Sequence, residues 1–382
     1  MYLLLLWGEL MKRELLFGMA VVALLVCGCT EKKPIKIGYM GSITGKHSDL
    51  GVAARDAAML AVEQLNGQGG INGRKLELIV RDDTFDAKVA EQMAGELVKE
   101  GVAAIVGPVA SSMSKAALPV VEKAGVVMVS PTSSSNELSG KDDYFFRVME
   151  PNSKFAGHLA ESALKLGIRR LAVIYDTNNR PYTVDIFHVF REVFIKGGGT
   201  VTSEVSFDSN LKPSFLPLVK QLGTGEADGV MVLASSVDSI VIAQQIRKEG
   251  TQAPILSGAC GIAQRDLLQL AGKSSEGMIF TLPVNSQSVA PAYTSFKESF
   301  SKRFNYPPTF AAVLAYDATQ LILTSLKKDS DTGKLRQTVK SISSFDGLQG
   351  PIRLDEFGDP NRKLFVLRYR DGREEVLNTP AP

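Results

Sequence analysis

The stretch Ala103–Leu138, AAIVGPVASSMSKAALPVVEKAGVVMVSPTSSSNEL, holds two short apolar runs, Ala103 to Val106 and Val126 to Val129, each followed by a loop of small and hydroxylated residues. Short apolar runs without polar alternation suit strands buried on both faces. In an open α/β sheet, ligands bind at the loops that follow the strands. After the first run, Ser111 and Ser112 fall at the start of a helix. After the second, Thr132, Ser133, Ser134 and Ser135 do the same. The first N–H groups of a helix have no intrahelical partner and attract anions. Two such tips on neighbouring strands make a site suited to a carboxylate, although either loop alone reads equally as simple N-capping by Ser or Thr.

Working outward, the same unit recurs along the chain. Further strands are expected at Ile35 to Met40, Leu76 to Arg81, Leu171 to Tyr175, Gly229 to Leu233, Ile255 to Ser257 and Met278 to Thr281. Amphipathic segments separate them. In DLGVAARDAAMLAVEQLN, the residues Val52, Ala53, Ala57, Leu60, Ala61 and Leu65 share one helical face. AKVAEQMAGELVKEG and SIVIAQQIRKEG stop at Gly101 and Gly250 after basic last turns. Strand and helix alternate in two series, the second starting near Leu171, which predicts an α/β protein with parallel sheets in two similar lobes.

The 382 residues suffice for roughly two domains of about 150 residues each. A hydrophobic content of 45% with 22% charged residues is ordinary for a globular chain and too apolar for disorder. A formal net charge of +2 provides no basic field for nucleic acid. At the N-terminus, Lys12 and Arg13 precede an apolar run, Leu15 to Val26, and then VCGC. The run is shorter than the roughly 20 residues a bilayer needs and reads as a secretory signal. VCGC resembles a lipoprotein cleavage box, which would make Cys29 the lipid-modified first residue of an anchored protein, with translation starting at Met11. Residues 30–34 are then a polar tether. If Cys29 carries lipid, Cys260 has no intramolecular disulfide partner.

Catalytic constellations are scarce. The loop after Ile35 to Met40 has Gly41 and Gly45 three residues apart with His47 after Lys46, so it fails the spacing and the hydroxyl that a phosphate-gripping P-loop requires. NGQGGINGRKL follows a helix and precedes a strand, the reverse of a dinucleotide-binding turn. His47, His158 and His188 lie far apart with no second ligand at helical spacing, and no metal or cofactor site is expected. GPVASSMSKAA lacks the Gly-x-Ser-x-Gly elbow of a hydrolase nucleophile. Cys260 reads either as a thiol or as a small residue in a strand-to-helix loop.

IKIGYMGSITG, AAMLAVEQLNGQGGINGRKLELIVRDD, the opening stretch Ala103–Leu138, FFRVMEPNS, LAVIYD, LAGKSSEGMIF and LAYDATQLI together resemble the substrate-binding proteins of branched-chain amino acid ABC transporters. The resemblance runs in order over nearly the whole chain after the tether. It implies the type I periplasmic binding fold, two doubly wound lobes of mainly parallel sheet joined by three crossovers near Glu150, Pro283 and Gly347. One lobe would comprise 35–150 plus 284–347, the other 151–283 plus 348–378. Hinge closure would trap a ligand between them, the loop at Gly41 to Gly51 forming a cleft wall, and an ABC permease in the membrane would receive the ligand.

The resemblance also implies site residues. Ser111, flanked by Val109 and Ala110, falls where the family binds the ligand carboxylate. Thr132, Ser133 and Ser134 fall on the second ligand loop, with Ser134 at its hydroxyl position. Tyr182 in YDTNNRPYT matches the family's cleft tyrosine, Ser235 stands where leucine-type binders have another tyrosine, and Leu50 replaces an aromatic. Cys260 stands where those binders place a glutamate against the ligand ammonium. An ammonium without a carboxylate partner loses a charge-assisted bond of about 1.5 to 3 kcal/mol and is desolvated as well. Either Asp238 or Asp49 takes over, or the ligand is not an α-amino acid. The expected function is therefore capture of a small carboxylate-bearing solute outside the cytoplasm, without catalysis. Branched-chain or related amino acids are the default. Aromatic or other organic acids, amides, or a sensory role are the alternatives.

Overall fold

The strand β1 (Ile35–Gly41) is buried along almost its whole length in the computed structural model, which describes residues 32–262 and 271–377. The expected signal segment 1–29, its Cys29 and the start of the tether lie outside the described residues. After β1 come α1 (Ser48–Gly67), β2 (Leu76–Asp82), α2 (Ala87–Lys99), β3 (Ala104–Val106), α3 (Ser111–Ala124), β4 (Val127–Ser130) and β5 (Phe145–Arg147). The strands form one wholly parallel sheet in the order β2-β1-β3-β4-β5. Helices cover both faces, so β3 and β4 are buried at every residue.

A second series follows: α4 (Asn152–Lys165), β6 (Arg170–Asp176), α5 (Arg180–Lys196), β7 (Thr200–Phe207), α6 (Phe215–Leu222), β8 (Gly229–Leu233), α7 (Ser236–Lys248), β9 (Ile255–Ser257) and β10 (Ile279–Leu282). The chain then returns to the first sheet with α8 (Pro291–Phe304), α9 (Phe310–Lys328) and α10 (Leu335–Lys340). There α9 lies along α1, and Tyr316 donates to Gln64 at 2.7 Å. Next come a small antiparallel sheet, β11 (Ser344–Gly347), β12 (Gly350–Leu354) and β13 (Pro360–Asn361), and the final hairpin β14 (Phe365–Arg370) and β15 (Arg373–Val376). The second main sheet has the order β15-β14-β10-β9-β8-β6-β7, parallel from β10 to β7 with the last hairpin antiparallel. The α/β class and the mainly parallel doubly wound sheets expected from the sequence are present.

One connection runs differently from expectation. Gly347 pairs with Gly350 inside the β11–β12 hairpin, so the break expected at Gly347 falls within a hairpin whose two strands share one sheet. The chain joins the second main sheet only at Phe365. The strands β5, β7 and β11 to β15 lie outside the runs expected from the sequence. β7 is an edge strand whose sequence, TVTSEVSF, is mostly polar and partly exposed, so it carries no buried-strand signal.

Where the chain passes between the sheets, buried charges tie the passages together. Glu150, after β5, accepts the backbone N–H of Arg362. The Arg362 guanidinium reaches Asp317 of α9 at 3.2 Å, and Asp317 also accepts from the Leu348 N–H at 2.8 Å. The fully buried Arg147 pairs with Asp359 at 2.7 Å. Asn285, just after β10, exchanges two hydrogen bonds with Gln349, at 2.9 and 2.8 Å.

Candidate functional site

Both main sheets reverse their winding direction at their first strand. In the first sheet β1 lies between β2 and β3, and in the second β6 lies between β7 and β8. Such switch points open a crevice at the strand C-termini. The loops leaving β1, β3, β6 and β8 converge on one cavity of about 40 Å³, lined by Ser42, Lys46, His47, Asp49 and Leu50, by Val109 and Ala110, by Asp176, Asn179, Tyr182 and Thr183, and by Ala234, Ser235 and Ser236, with Phe85 added from the loop after β2. A single water needs roughly 10–15 Å³ on this measure, so the two walls already stand close together.

Local structure explains how the walls are held. Gly51 lies in the first turn of α1, where a Cβ would come 1.9 Å from the Ser42 carbonyl oxygen, so only glycine lets the helix start press on the loop after β1. Ser42 donates to Asp83 at 2.5 Å, fixing that loop to the one after β2. Burial pushes the Asp83 carboxyl up. Gly107 has φ +108°, and a Cβ there would meet the Met40 carbonyl at 2.0 Å, which allows the turn after β3 to pack against β1.

The expected carboxylate tips lie directly behind Val109 and Ala110. The buried Ser111 hydroxyl accepts the backbone N–H groups of Ser134 and Ser135 at 3.2 and 3.3 Å, linking the two tips. The Ser112 and Ser134 hydroxyls are buried and make no hydrogen bond to any described residue. The other hydroxyls of the second loop are already used. Thr132 donates to the Val109 carbonyl at 2.5 Å, and Ser133 sits 2.7 Å from the Ser114 hydroxyl. Thr132 and Ser133 therefore shape the floor and are not among the lining residues.

The opposite wall meets these tips through Asn179, whose side-chain oxygen accepts the Ser112 N–H at 3.2 Å. Tyr182, one turn further on, is buried beside it. Ser235 caps α7 by accepting the Asp238 N–H at 3.2 Å, and it donates to the Asp238 carboxylate at 2.9 Å. That carboxylate is 3.0 Å from the Lys46 ammonium, which comes from the other wall. A third bridge joins Asn136 to Asp185, at 2.8 and 3.0 Å. His47 stacks on Phe85 with ring centroids 3.8 Å apart. Burial, with the Lys46 charge beside it, pushes its imidazole down to about 4.

Of the residues expected from the sequence, Val109, Ala110, Tyr182 and Ser235 line one cavity, and Ser111 and Ser134 stand behind its wall. The backbone of Cys260 lies in a 3₁₀ turn, Ala259–Ile262, after β9, and its side chain is outside the described residues. Of the two acids considered for the ammonium, Asp49 lines the cavity and Asp238 is engaged by Lys46. The loop Gly41 to Gly51, expected as a cleft wall, supplies Lys46 and His47 without either being singled out beforehand, and Phe85, Asp176, Asn179, Thr183, Ala234 and Ser236 lie outside the expected residues. A signal existed for some: Lys46 and His47 follow the first strand, and Asn179 precedes Tyr182 by three residues, within the strand-to-helix loop. Among the described residues no cluster of His, Cys, Asp or Glu could hold a metal ion.

The described chain also matches known proteins. A family model described as periplasmic binding protein covers residues 34–374. The chain is 26% identical to the Leu/Ile/Val-binding protein of Escherichia coli (strain K12), over 88% of its own length and 91% of that protein's. Its structure superposes on that of a leucine binding protein from Thermotoga maritima with a TM-score of 0.83 at 25% identity, covering 90% of this chain and 97% of that one. A solute binding protein of an R. palustris ABC transporter, solved in complex with benzoate, shares the fold with a TM-score of 0.81 at 19% identity, covering 90% and 95% of the two chains.

Proposed function

The chain belongs to the periplasmic binding protein family, and from that premise we propose that it is the solute-binding protein of an ABC importer, working outside the cytoplasm and anchored by lipid at Cys29. It captures a small carboxylate-bearing solute in the cavity between the two main sheets, does no chemistry on it, and presents it to a membrane permease. The two lobes are the β1–β5 sheet with α8 to α10 and the β6–β10 sheet with the last hairpin, the third passage lying near Arg362.

One observation carries the carboxylate reading. The Asn179 amide oxygen takes the Ser112 N–H at 3.2 Å, and the buried Ser112 and Ser134 hydroxyls, which have no partner among the described residues, flank that helix tip. An acceptor oxygen already occupies the position that the anion would take, and the hydroxyls beside it have hydrogen bonds still to give. A carboxylate displacing the Asn179 oxygen gains charge-assisted bonds from the same donors. Closure follows because a solute touching both walls binds the closed form better than the open one.

The relatives named for leucine, isoleucine and valine make branched-chain amino acids the first solutes to test. The stacked His47–Phe85 wall favours a second reading, an aromatic acid, and the benzoate complex of the structural neighbour supports including that class. A thermal-shift screen with amino acids, aromatic acids and amides tests the reading. A solute at 100 times its dissociation constant raises stability by about 2.7 kcal/mol. If no small carboxylate shifts the unfolding midpoint, the proposal is wrong.

A further inference from the structure

We propose that Lys46 determines specificity by acting as a resident cation in the cleft, so that the solute is a carboxylate carrying no ammonium group. The inference rests on the carboxylate reading above and narrows it.

The Asp238 carboxylate is nearly buried, with 11% of its side chain exposed; the Ser235 hydroxyl donates to it and accepts the Asp238 backbone N–H. A carboxylate in that setting requires a counter-cation when the cleft is closed. Lys46 supplies one from the opposite wall, its ammonium 3.0 Å from Asp238 and 3.4 Å from the Ser209 carbonyl. A solute ammonium would have to displace Lys46 or go without a carboxylate of its own.

Among the described residues, the acids that line the cavity are Asp49 and Asp176, and each has partners of its own. Asp176 accepts the backbone N–H groups of Asn178 and Ser209, both at 3.0 Å, which closes the turn after β6. Asp49, in the first turn of α1, has its own partner. The residue at the position that resembles an ammonium-binding glutamate is Cys260. His47, pushed down to about 4, is uncharged at neutral pH and adds no competing cation.

The test uses solute pairs that differ only in the amino group: leucine against 4-methylpentanoate, and phenylalanine against 3-phenylpropanoate, measured by calorimetry on the protein and on three variants. For the unaltered protein, the acid without the amino group binds at least about tenfold tighter than its amino-acid partner, the scale of one charge-assisted bond. Lys46→Met frees Asp238 and moves that ratio about tenfold or more toward the amino acid, whereas Lys46→Arg leaves it in place. Asp238→Asn releases Lys46 toward the cavity and tightens the acids without helping the amino acids, an outcome that does not depend on Lys46→Met folding. Tighter amino-acid binding by the unaltered protein, or an unchanged ratio in Lys46→Met, overturns the role of Lys46 while leaving the carboxylate site standing. Binding of neither member of any pair overturns the carboxylate reading, and this inference with it.

Discussion

The side-chain oxygen of Asn179 accepts the backbone N–H of Ser112 at 3.2 Å, so the tip of α3 in the first sheet's half is capped by a residue from the second. An anion at a helix N-terminus contributes about 0.3–1 kcal/mol, and up to ~2 kcal/mol when partly buried. Asn179→Asp therefore raises the unfolding midpoint of the solute-free protein and, because its carboxylate occupies the anion position, weakens carboxylate binding by about tenfold or more. Paired melting curves and calorimetric titrations check this. Unchanged affinity would remove Asn179 from the solute's path.

Ser111 and Ser134 separate folding from binding. The Ser111 hydroxyl serves two backbone N–H groups, so Ser111→Ala leaves them unpaired and costs the solute-free protein about 1–3 kcal/mol. The Ser134 hydroxyl is buried without a partner among the described residues, so Ser134→Ala leaves the solute-free stability unchanged or higher and lowers affinity by about 1.5–3 kcal/mol, the value of a hydrogen bond to a charged group. Urea titrations with and without solute distinguish the two. Equal losses of solute-free stability would contradict the assignment.

His47 gives the solute-free protein a pH dependence of known sign. Its folded value, about 4, lies below the ordinary 6.5, so protonation favours the unfolded chain. The contribution is intact above pH 6.5 and is lost as pH falls toward 4. His47→Gln flattens stability across that window, and an imidazole NMR titration of the folded protein shows a midpoint near 4. A midpoint near 6.5 would mean that the stacked ring is open to water.

The Arg362–Asp317 pair is almost wholly buried, with 5% and 1% of the side chains exposed. Removing one partner of such a pair costs about 3–5 kcal/mol, because the other charge remains buried alone. Arg362→Met is thus strongly destabilising. The Asp317 carboxyl is already pushed up by burial, so Asp317→Asn, which keeps an acceptor for the Leu348 N–H, costs less. Chemical denaturation of both variants ranks them, and the reverse order would refute the argument.

Much of this architecture was legible because the strands of a doubly wound sheet are buried on both faces and so read as continuous apolar runs. β1, β3, β4 and β8 are of this kind. β7 and β15 escaped notice because edge strands half open to water keep polar side chains, and β5, at Phe145–Arg147, is only a short run before a loop. At the proposed site, Ser111 and Ser134 stand out as candidates in the sequence because hydroxyls after an apolar run carry a chemical meaning on their own. Lys46 and Asp238 acquire theirs only from each other, and they stand far apart in the chain. No local pattern announces a partner whose position depends on how two sheets face.

The side-by-side passages at Glu150, Asn285 and Arg362 have a mechanical consequence. Under the proposed closure, passages cross-linked at one edge would let the halves swing but resist sliding and twisting, like the pin of a pair of tongs. Each swing of that kind would return the same two lips into register, so that the proposed solute would meet one pre-cut mould whenever the jaws shut.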